Sequence, residues 1–259
     1  MKKSVSLLLA GLMLCGALTG CGGNNDSASY GEGGESQTAE STTGTSGAIH
    51  VVSREDGSGT RGAFVELTGV EDDNGDNTTV EAEIANRTDA VLTTVAGNEA
   101  AIGYVSLGSL NDTVKAVTVD GVEATVDNVK SGDYTLSRPF NIATKGEPTG
   151  VAADFIGFIM SADGQAIVGE DYITVNDNAE AFTSDGSSGH ITVGGSSSVS
   201  PVMEQLIEAY KAVNPNAQID LQTSDSTSGM TGAMDGTFAI GMASRELKDE
   251  EAAELTGTA

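Results

Sequence analysis

From residue 49 onward, short apolar runs alternate with segments whose apolar residues recur at helical spacing. Strands are predicted at 49–52, 101–105, 114–119, 191–193, 219–222 and 238–242. Helices are predicted at 88–96, 151–160, 164–168, 201–213, 230–234 and 246–255. Residues 137–145 are extended, and Pro139 makes them an edge or connecting strand because it cannot donate a ladder hydrogen bond. This alternation predicts an α/β fold with an at least partly parallel sheet.

Four of the predicted strands lead into short loops rich in serine, threonine and glycine, and a helix follows each loop. These loops are 53–61, 194–200, 223–229 and 243–245. Ligands of open α/β sheets bind outside the carboxyl ends of the strands, and the free N–H groups of helix N-termini attract anions. Each loop alone is also typical of an ordinary capped helix start. Four together favour one shared anion-binding site.

The first loop carries the most donors. Arg54 has a planar guanidinium fork, and Ser58 and Thr60 offer hydroxyls beside Gly57 and Gly59, which allow an oxyanion to approach the backbone. The alternative is that Ser58 or Thr60 only caps the helix and that the glycines only form a turn.

Composition limits the partners. The 259 residues include 38 Asp and Glu against 12 Lys and Arg, which gives a formal net charge of −26. Such a chain repels nucleic acid and anionic membrane surfaces. An anionic ligand must therefore be held by oriented N–H and O–H groups rather than by a field of lysines.

The first residues have the pattern of a lipoprotein signal. Lys2 and Lys3 precede an apolar run, and the stretch 18–21 resembles a bacterial lipobox ending at Cys21. We therefore expect a signal peptide at 1–20 and lipid attachment at Cys21, the alternative being an ordinary secretory signal. Cys15 would leave with the signal, so that no thiol remains for a disulfide or a metal.

The remaining composition predicts the domain organisation. Residues 21–48 contain scarcely an apolar side chain and predict a flexible linker. A first α/β lobe with a crossing strand is expected at 49–175, a polar linker at 176–189 and a second, partial lobe at 190–259. The acidic segment 69–79 lacks EF-hand spacing and is interpreted as a solvated loop.

Five stretches together resemble the phosphate-binding lipoprotein of phosphate ABC importers, a two-lobed periplasmic binding protein of type II-like architecture. They are SREDGSGTR, IGYVSLGSL, SGDYTLSRPF, GSSSVSPVMEQL and IGMASRELKDEE, and the resemblance covers nearly all of 49–259. By position it implies ligand contacts from Arg54, Asp56, Ser58, Gly59, Thr60, Ser197, Ser198 and Ser226.

Three of the implied contacts have particular features. In the resemblance, Asp56 accepts a hydrogen bond from protonated phosphate, and a carboxylate in that position repels a fully ionised oxyanion such as sulfate. Ser244 and Arg245 are further implied contacts, at positions where some relatives have a second Asp. Arg245 has the alternative of a structural ion pair with Glu246 or Asp249.

The order of the stretches differs from the family's usual order. The GSSSV and SREL stretches normally precede SREDGSGT, whereas here they follow it. We interpret this as a circular permutation, which lobed proteins tolerate. The chain also stops soon after the SREL stretch, so we expect the second lobe to be incomplete.

The resemblance implies a protein that captures inorganic phosphate between its lobes by hinge closure, with the segment 138–140 near a crossing strand. It implies delivery to the permease and ATPase subunits of an ABC importer, on the outer face of the cell membrane, without a cofactor or metal. The alternative is a binding protein or sensor for another oxyanion.

An enzyme is not expected. The candidate nucleophiles would be Ser58 or Ser197, but the stretch 57–59 lacks the G-x-S-x-G elbow. His50 and His190 stand at predicted strand starts rather than beside a hydroxyl loop.

Overall fold

The computed structural model describes residues 47–258. The strands are β1 (His50–Arg54), β2 (Glu71–Asp72), β3 (Gly75–Asp76), β4 (Glu83–Ala85), β5 (Ala101–Ile102), β6 (Asn141–Thr144), β7 (Gly189–Ser196), β8 (Ala217–Ser224), β9 (Ile240–Ala243) and β10 (Thr256–Thr258). The α-helices are α1 (Gly59–Thr68), α2 (Thr88–Ala96), α3 (Val126–Ser131), α4 (Gly150–Met160), α5 (Ala162–Asp171), α6 (Ser200–Val213), α7 (Ser226–Asp235) and α8 (Asp249–Ala252). A short 3₁₀ helix spans Leu107–Ser109.

The strands form two main sheets. The first has three parallel strands in the order β4-β1-β5. The second has five strands in the order β10-β6-β9-β7-β8, in which β7 runs parallel to β8 and β9 while β6 is antiparallel to β9 and β10. The predicted α/β fold with a partly parallel sheet is therefore confirmed. A small antiparallel pair, β2 and β3, lies in the acidic segment.

The main core lies against the five-stranded sheet. Helix α6 begins with Pro201 in its first turn, where a missing N–H costs nothing, and its apolar stripe is buried. Phe155 and Phe158 of α4 and Tyr210 of α6 are almost completely buried and pack together. Each such aromatic side chain contributes roughly 1.5–3 kcal/mol of burial free energy. These helices hold the sheet, and hence the loops at its ends, in one position.

The division between the sheets differs from the predicted domain boundary. Strand β6 belongs to the five-stranded sheet, and α4 packs in its core, although 141–175 was assigned to the first lobe. The predicted linker 176–189 is not free of contacts: the ring of Phe182 packs edge-on against Phe158, with centroids 5.3 Å apart. The Gly/Ser-rich composition of this segment predicted a linker and gave no indication that Phe182 packs on the core.

Three predicted elements are shorter or absent. Residues 114–119 do not form a strand, because within the described chain the only pairing there is a bridge between Val119 and Val122. That bridge closes a two-residue turn, in which Asp120 (φ 52°) and Gly121 (φ 81°) both have positive φ. Strand β5 covers only two of the five residues predicted at 101–105, and α8 covers four of those predicted at 246–255.

The predicted signal peptide, Cys21 and all but the last residues of the predicted tether lie outside the described residues. Across 47–258, no single helix is long and apolar enough to cross a membrane; α4 and α5, which meet at a bend of 60°, pass that test only when taken together.

A buried carboxylate ties the segment after α5 to the core. Asp154 of α4 accepts hydrogen bonds from Ser184 Oγ (2.6 Å), the Asp185 backbone N–H (2.9 Å) and Tyr210 Oη (2.7 Å). Burial alone would raise the pKa of Asp154, but these donors, together with Asn214, outweigh it and lower the pKa below its ordinary value.

We expect Asp154→Asn to destabilise the protein by about 2–3 kcal/mol at neutral pH, because an amide leaves buried donors without their acceptor. The contribution of a carboxylate with a lowered pKa is present above its unfolded-state pKa and is lost as the pH falls through its folded-state pKa. Urea unfolding should therefore show a difference between wild type and variant that narrows toward acid pH. Asp112→Asn, at an exposed position, is the control and should change stability little at any pH. A difference that stays constant with pH would contradict the assignment.

Candidate functional site

Hydroxyl side chains that follow strands of both sheets converge at one place, and half of them stand at helix starts. Thr60 lies in the first turn of α1, Thr88 is the first residue of α2, and Ser226 is the first residue of α7. The remaining members follow β7 or β9. The hydroxyl cluster comprises Thr60, Thr88, Ser197, Ser198, Ser226 and Ser244, each at most 6% exposed. Helix N-termini present unpaired N–H groups and partial positive charge, so their convergence favours an anion.

Hydrogen bonds connect the members of the cluster. Thr60 Oγ1 lies 2.8 Å from Ser198 Oγ and 3.3 Å from Ser244 Oγ. Thr88 Oγ1 lies 3.1 Å from Ser197 Oγ and 3.2 Å from Ser198 Oγ. Two of the predicted loops on the five-stranded sheet thus meet helices that start beside the three-stranded sheet.

The third loop of the five-stranded sheet joins the same network. Ser226 Oγ accepts from the Ser244 backbone N–H at 3.0 Å and lies 3.4 Å from Ser244 Oγ. Ser244 in turn contacts Thr60. All four predicted hydroxyl loops therefore contribute to one cluster.

Arg54 enters the cluster from the end of β1 and is 1% exposed. Its Nη2 donates to Ser197 Oγ at 3.1 Å, and its Nη1 donates to Thr88 Oγ1 at 3.3 Å. The other side of the guanidinium makes a two-point ion pair with Glu55, with both N···O distances 2.8 Å. Arg54 thus supplies directed donors, while Glu55 offsets its charge.

The glycines of the first loop permit close contact with α7. A Cβ on Gly59 would collide with Ser226 Oγ, and one on Gly57 would collide with the Asp225 carboxylate. The Thr227 backbone N–H donates to the Gly57 carbonyl at 3.2 Å. The alternative interpretation of Ser58 as a cap also holds, because its Oγ accepts from the Arg61 backbone N–H at 3.3 Å.

Asp56 and Arg245, two further predicted site residues, also lie outside the cluster. Asp56 has a side chain that is 96% exposed, and its Oδ1 accepts from Arg61 Nη1 at 2.7 Å. Arg245 makes a two-point ion pair with the buried Glu251, at 2.7 and 2.8 Å. The structural alternative for Arg245 therefore applies, although its partner is Glu251 rather than Glu246 or Asp249.

Two residues of the site were not predicted from the sequence. Thr88 follows β4 and starts a helix, which is the same strand–hydroxyl–helix pattern. It was missed because the two residues between them, Asn86 and Arg87, include no glycine to mark a loop. Arg138 was expected only near a crossing strand. It donates from Nε to the Ser244 carbonyl at 2.7 Å and from Nη2 to Thr60 Oγ1 at 2.9 Å.

The electrostatics of Arg138 differ from those of Arg54. Burial, and then the nearby charge of Arg54, lower the pKa of Arg138 to about 10. The guanidinium therefore remains charged at neutral pH, close to a second guanidinium.

A cavity of about 1080 Å³ borders the cluster at Thr60 and Arg138. Its walls are mostly apolar, with side chains such as Phe64, Leu110 and Val117. Such walls offer few donors to an oxyanion, so the chemistry resides in the hydroxyl cluster rather than in this cavity.

The arrangement can bind an oxyanion, and within 47–258 neither histidine is placed to activate a nucleophile. Both histidines lie at strand starts, where His50 pairs with Glu83 and His190 pairs with Asp220. Neither contacts Ser58 or Ser197, so the hydroxyls act as hydrogen-bonding groups.

The chain is similar to proteins of a known family. The family model described as PBP superfamily domain matches residues 29–163 and 180–259. The chain is 47% identical over 259 residues to "Phosphate-binding protein PstS 2" of Streptococcus agalactiae, covering 97% of this chain and 83% of that one. It is 44% identical over 262 residues to the protein of the same name from Streptococcus pneumoniae, covering 99% and 86%.

A solved structure has the same fold. The crystal structure of a phosphate ABC transporter, phosphate-binding protein from Streptococcus pneumoniae superposes with a TM-score of 0.65 at 47% sequence identity. The match covers 82% of this chain and 85% of that one.

Proposed function

The chain belongs to the PBP superfamily, and from this premise we propose that it binds inorganic phosphate at the hydroxyl cluster and delivers it to an ABC-type phosphate importer. Relatives at 44–47% identity carry the name of phosphate-binding proteins, and the chain covers 83–86% of their length. It is accordingly a substrate-binding protein and not an enzyme.

The observation that carries the proposal is the convergence of helix starts, hydroxyls and Arg54 between two sheets. Serine and threonine hydroxyls donate to ionised oxygens and also accept, so they can pair with the proton that phosphate retains near neutral pH. Sulfate carries no such proton. The geometry supports this explanation of selectivity rather than a role for Asp56, whose side chain points to solvent.

The importer partners follow from the family. We propose that the loaded protein docks on the permease and ATPase subunits of a phosphate importer at the extracytoplasmic face of the cell membrane. The lipobox-like stretch supports anchoring through a lipid on Cys21, with 21–48 as the tether. A circular permutation of the loop order remains a prediction from the sequence.

Isothermal titration of the full chain with phosphate and with sulfate tests the function. We expect saturable binding of phosphate with one site per chain, and sulfate binding at least about tenfold weaker, because a hydroxyl acceptor left without a proton loses a hydrogen bond to a charged ligand. Equal affinity for the two anions would favour the alternative, a binding protein or sensor for oxyanions in general. Absence of binding to either would contradict the proposed function.

A further inference from the structure

We propose that Arg138 is a second guanidinium ligand of the bound anion and supplies the net positive charge of the site. This inference rests on the proposed function and extends it, because none of the contacts implied by the family resemblance includes Arg138.

The position of Arg138 is fixed from three sides. Arg138 lies in the extended segment before β6, and its guanidinium carbon Cζ lies 5.6 Å from the centre of the Phe140 ring. Its Nη2 and Nε donate to Thr60 Oγ1 and to the Ser244 carbonyl. These two bonds use two of the five N–H groups that a guanidinium carries, so further donors are available at the cluster.

The charge balance distinguishes the two arginines. Glu55 neutralises Arg54 through a two-point ion pair. Among the ion pairs formed by residues 47–258, none includes Arg138, and the charge of Arg54 lowers the pKa of Arg138. The charges of Arg54, Glu55 and Arg138 therefore sum to +1 in a partly buried position.

An anion between the two guanidinium groups would remove the repulsion between them. Like charges in a partly buried place are costly unless a counter-charge lies close by. Here the chain as a whole carries −26, so the site must attract its ligand through local groups. A doubly charged oxyanion can pair with both guanidinium groups. Arg138 thus gives the site a preference for the dianionic form of phosphate.

A purely structural role for Arg138 predicts different effects of its substitution. In that role it would only hold the Ser244 carbonyl and Thr60, so its loss would lower stability and would affect the monoanion and dianion of phosphate equally. A ligand role makes the effect depend on the charge of the anion.

The test compares phosphate affinity of wild type, Arg138→Gln and Arg138→Lys, each as the full chain, at pH values below and above the second ionisation of phosphate. We expect Arg138→Gln to weaken phosphate binding about tenfold to hundredfold where the dianion predominates, and clearly less where the monoanion does. Arg138→Lys, which keeps the charge but not the fork, should lie between. Lys130→Gln, at an exposed position on α3, removes the same charge and should leave the affinity unchanged.

The outcomes separate this inference from the proposed function. Tight binding by wild type together with unchanged or pH-independent affinity of Arg138→Gln overturns the role of Arg138 and leaves the function intact. Loss of binding by wild type overturns both. Should Arg138→Gln not fold, the wild-type protein decides: the Nε–H resonance of Arg138, assigned through the Lys variant, should shift on saturation with phosphate, and an unmoved resonance overturns the proposal.

Discussion

Arg54→Gln is expected to weaken phosphate binding by about 100-fold to 1000-fold, because truncating one partner of a buried, hydrogen-bonded charge contact typically costs 2–5 kcal/mol. Arg54 is 1% exposed and contacts Ser197 and Thr88, the two hydroxyls that link the sheets at this point. The glutamine side chain is too short to reach both hydroxyls and carries no charge. Isothermal titration with phosphate measures the loss.

A second variant separates loss of the ligand from loss of the fold. Arg54→Gln alone leaves Glu55 without its partner, which destabilises the protein by itself. The double variant Arg54→Gln with Glu55→Gln removes both charges, so it should recover stability and still bind phosphate weakly. Asp56→Asn is the contrasting position in the same loop, and with an exposed side chain it should change the affinity less than about threefold. A double variant that binds like wild type would refute the role assigned to Arg54.

The sequence predicted which loops meet because a physical rule fixes their place. The carboxyl ends of parallel strands open on the same edge of a sheet, so the loops that follow β7, β8 and β9 of the five-stranded sheet have few places to go. The repeated strand–hydroxyl–helix pattern was thus sufficient to predict that the four loops meet, and the family resemblance named the residues within them. The structure shows Thr60, Ser197, Ser198, Ser226 and Ser244 as neighbours.

The orientation of single side chains within a loop could not be read from the sequence. Asp56 lies two residues after Arg54, yet the turn directs it to solvent and to Arg61. Arg245 follows Ser244 directly, but a buried glutamate six residues later takes its guanidinium. A shift of one residue in a turn decides whether a side chain points into the cluster or to the surface. No local sequence pattern indicates which of the two occurs.

Long-range membership of a sheet was also beyond the sequence pattern. Strand β6 precedes the Gly/Ser-rich segment 176–189, so composition grouped it with the first sheet, whereas it pairs antiparallel with β9. This pairing places Arg138, three residues before the start of β6, beside the Ser244 carbonyl. The missed strand partner and the missed arginine therefore have one cause.

The site is held together by close packing of backbone, and Gly195→Ala should disrupt it. Gly195 has φ 134°, which disfavours any residue with a Cβ. A Cβ there would collide with the Met242 carbonyl oxygen and lie 2.9 Å from the Cα of Gly229. We expect a loss of about 3–5 kcal/mol, the sum of backbone strain and overpacking, out of a total stability of roughly 5–15 kcal/mol. Guanidinium unfolding measures it as a lower midpoint at constant slope.

Gly186→Ala provides the matched control, since Gly186 also has positive φ (77°) but no heavy atom lies within 4 Å of the added Cβ. That variant should lose only the backbone term, about 1 kcal/mol. The excess at Gly195 then measures the contact among β7, α7 and β9, from whose ends Ser197, Ser226 and Ser244 extend. Because that contact sets the spacing of the three hydroxyls, any folded Gly195→Ala protein should also bind phosphate more weakly than Gly186→Ala. Equal stability of the two variants would show that the three elements can separate without cost, and that the hydroxyl cluster owes its geometry to something other than this packing.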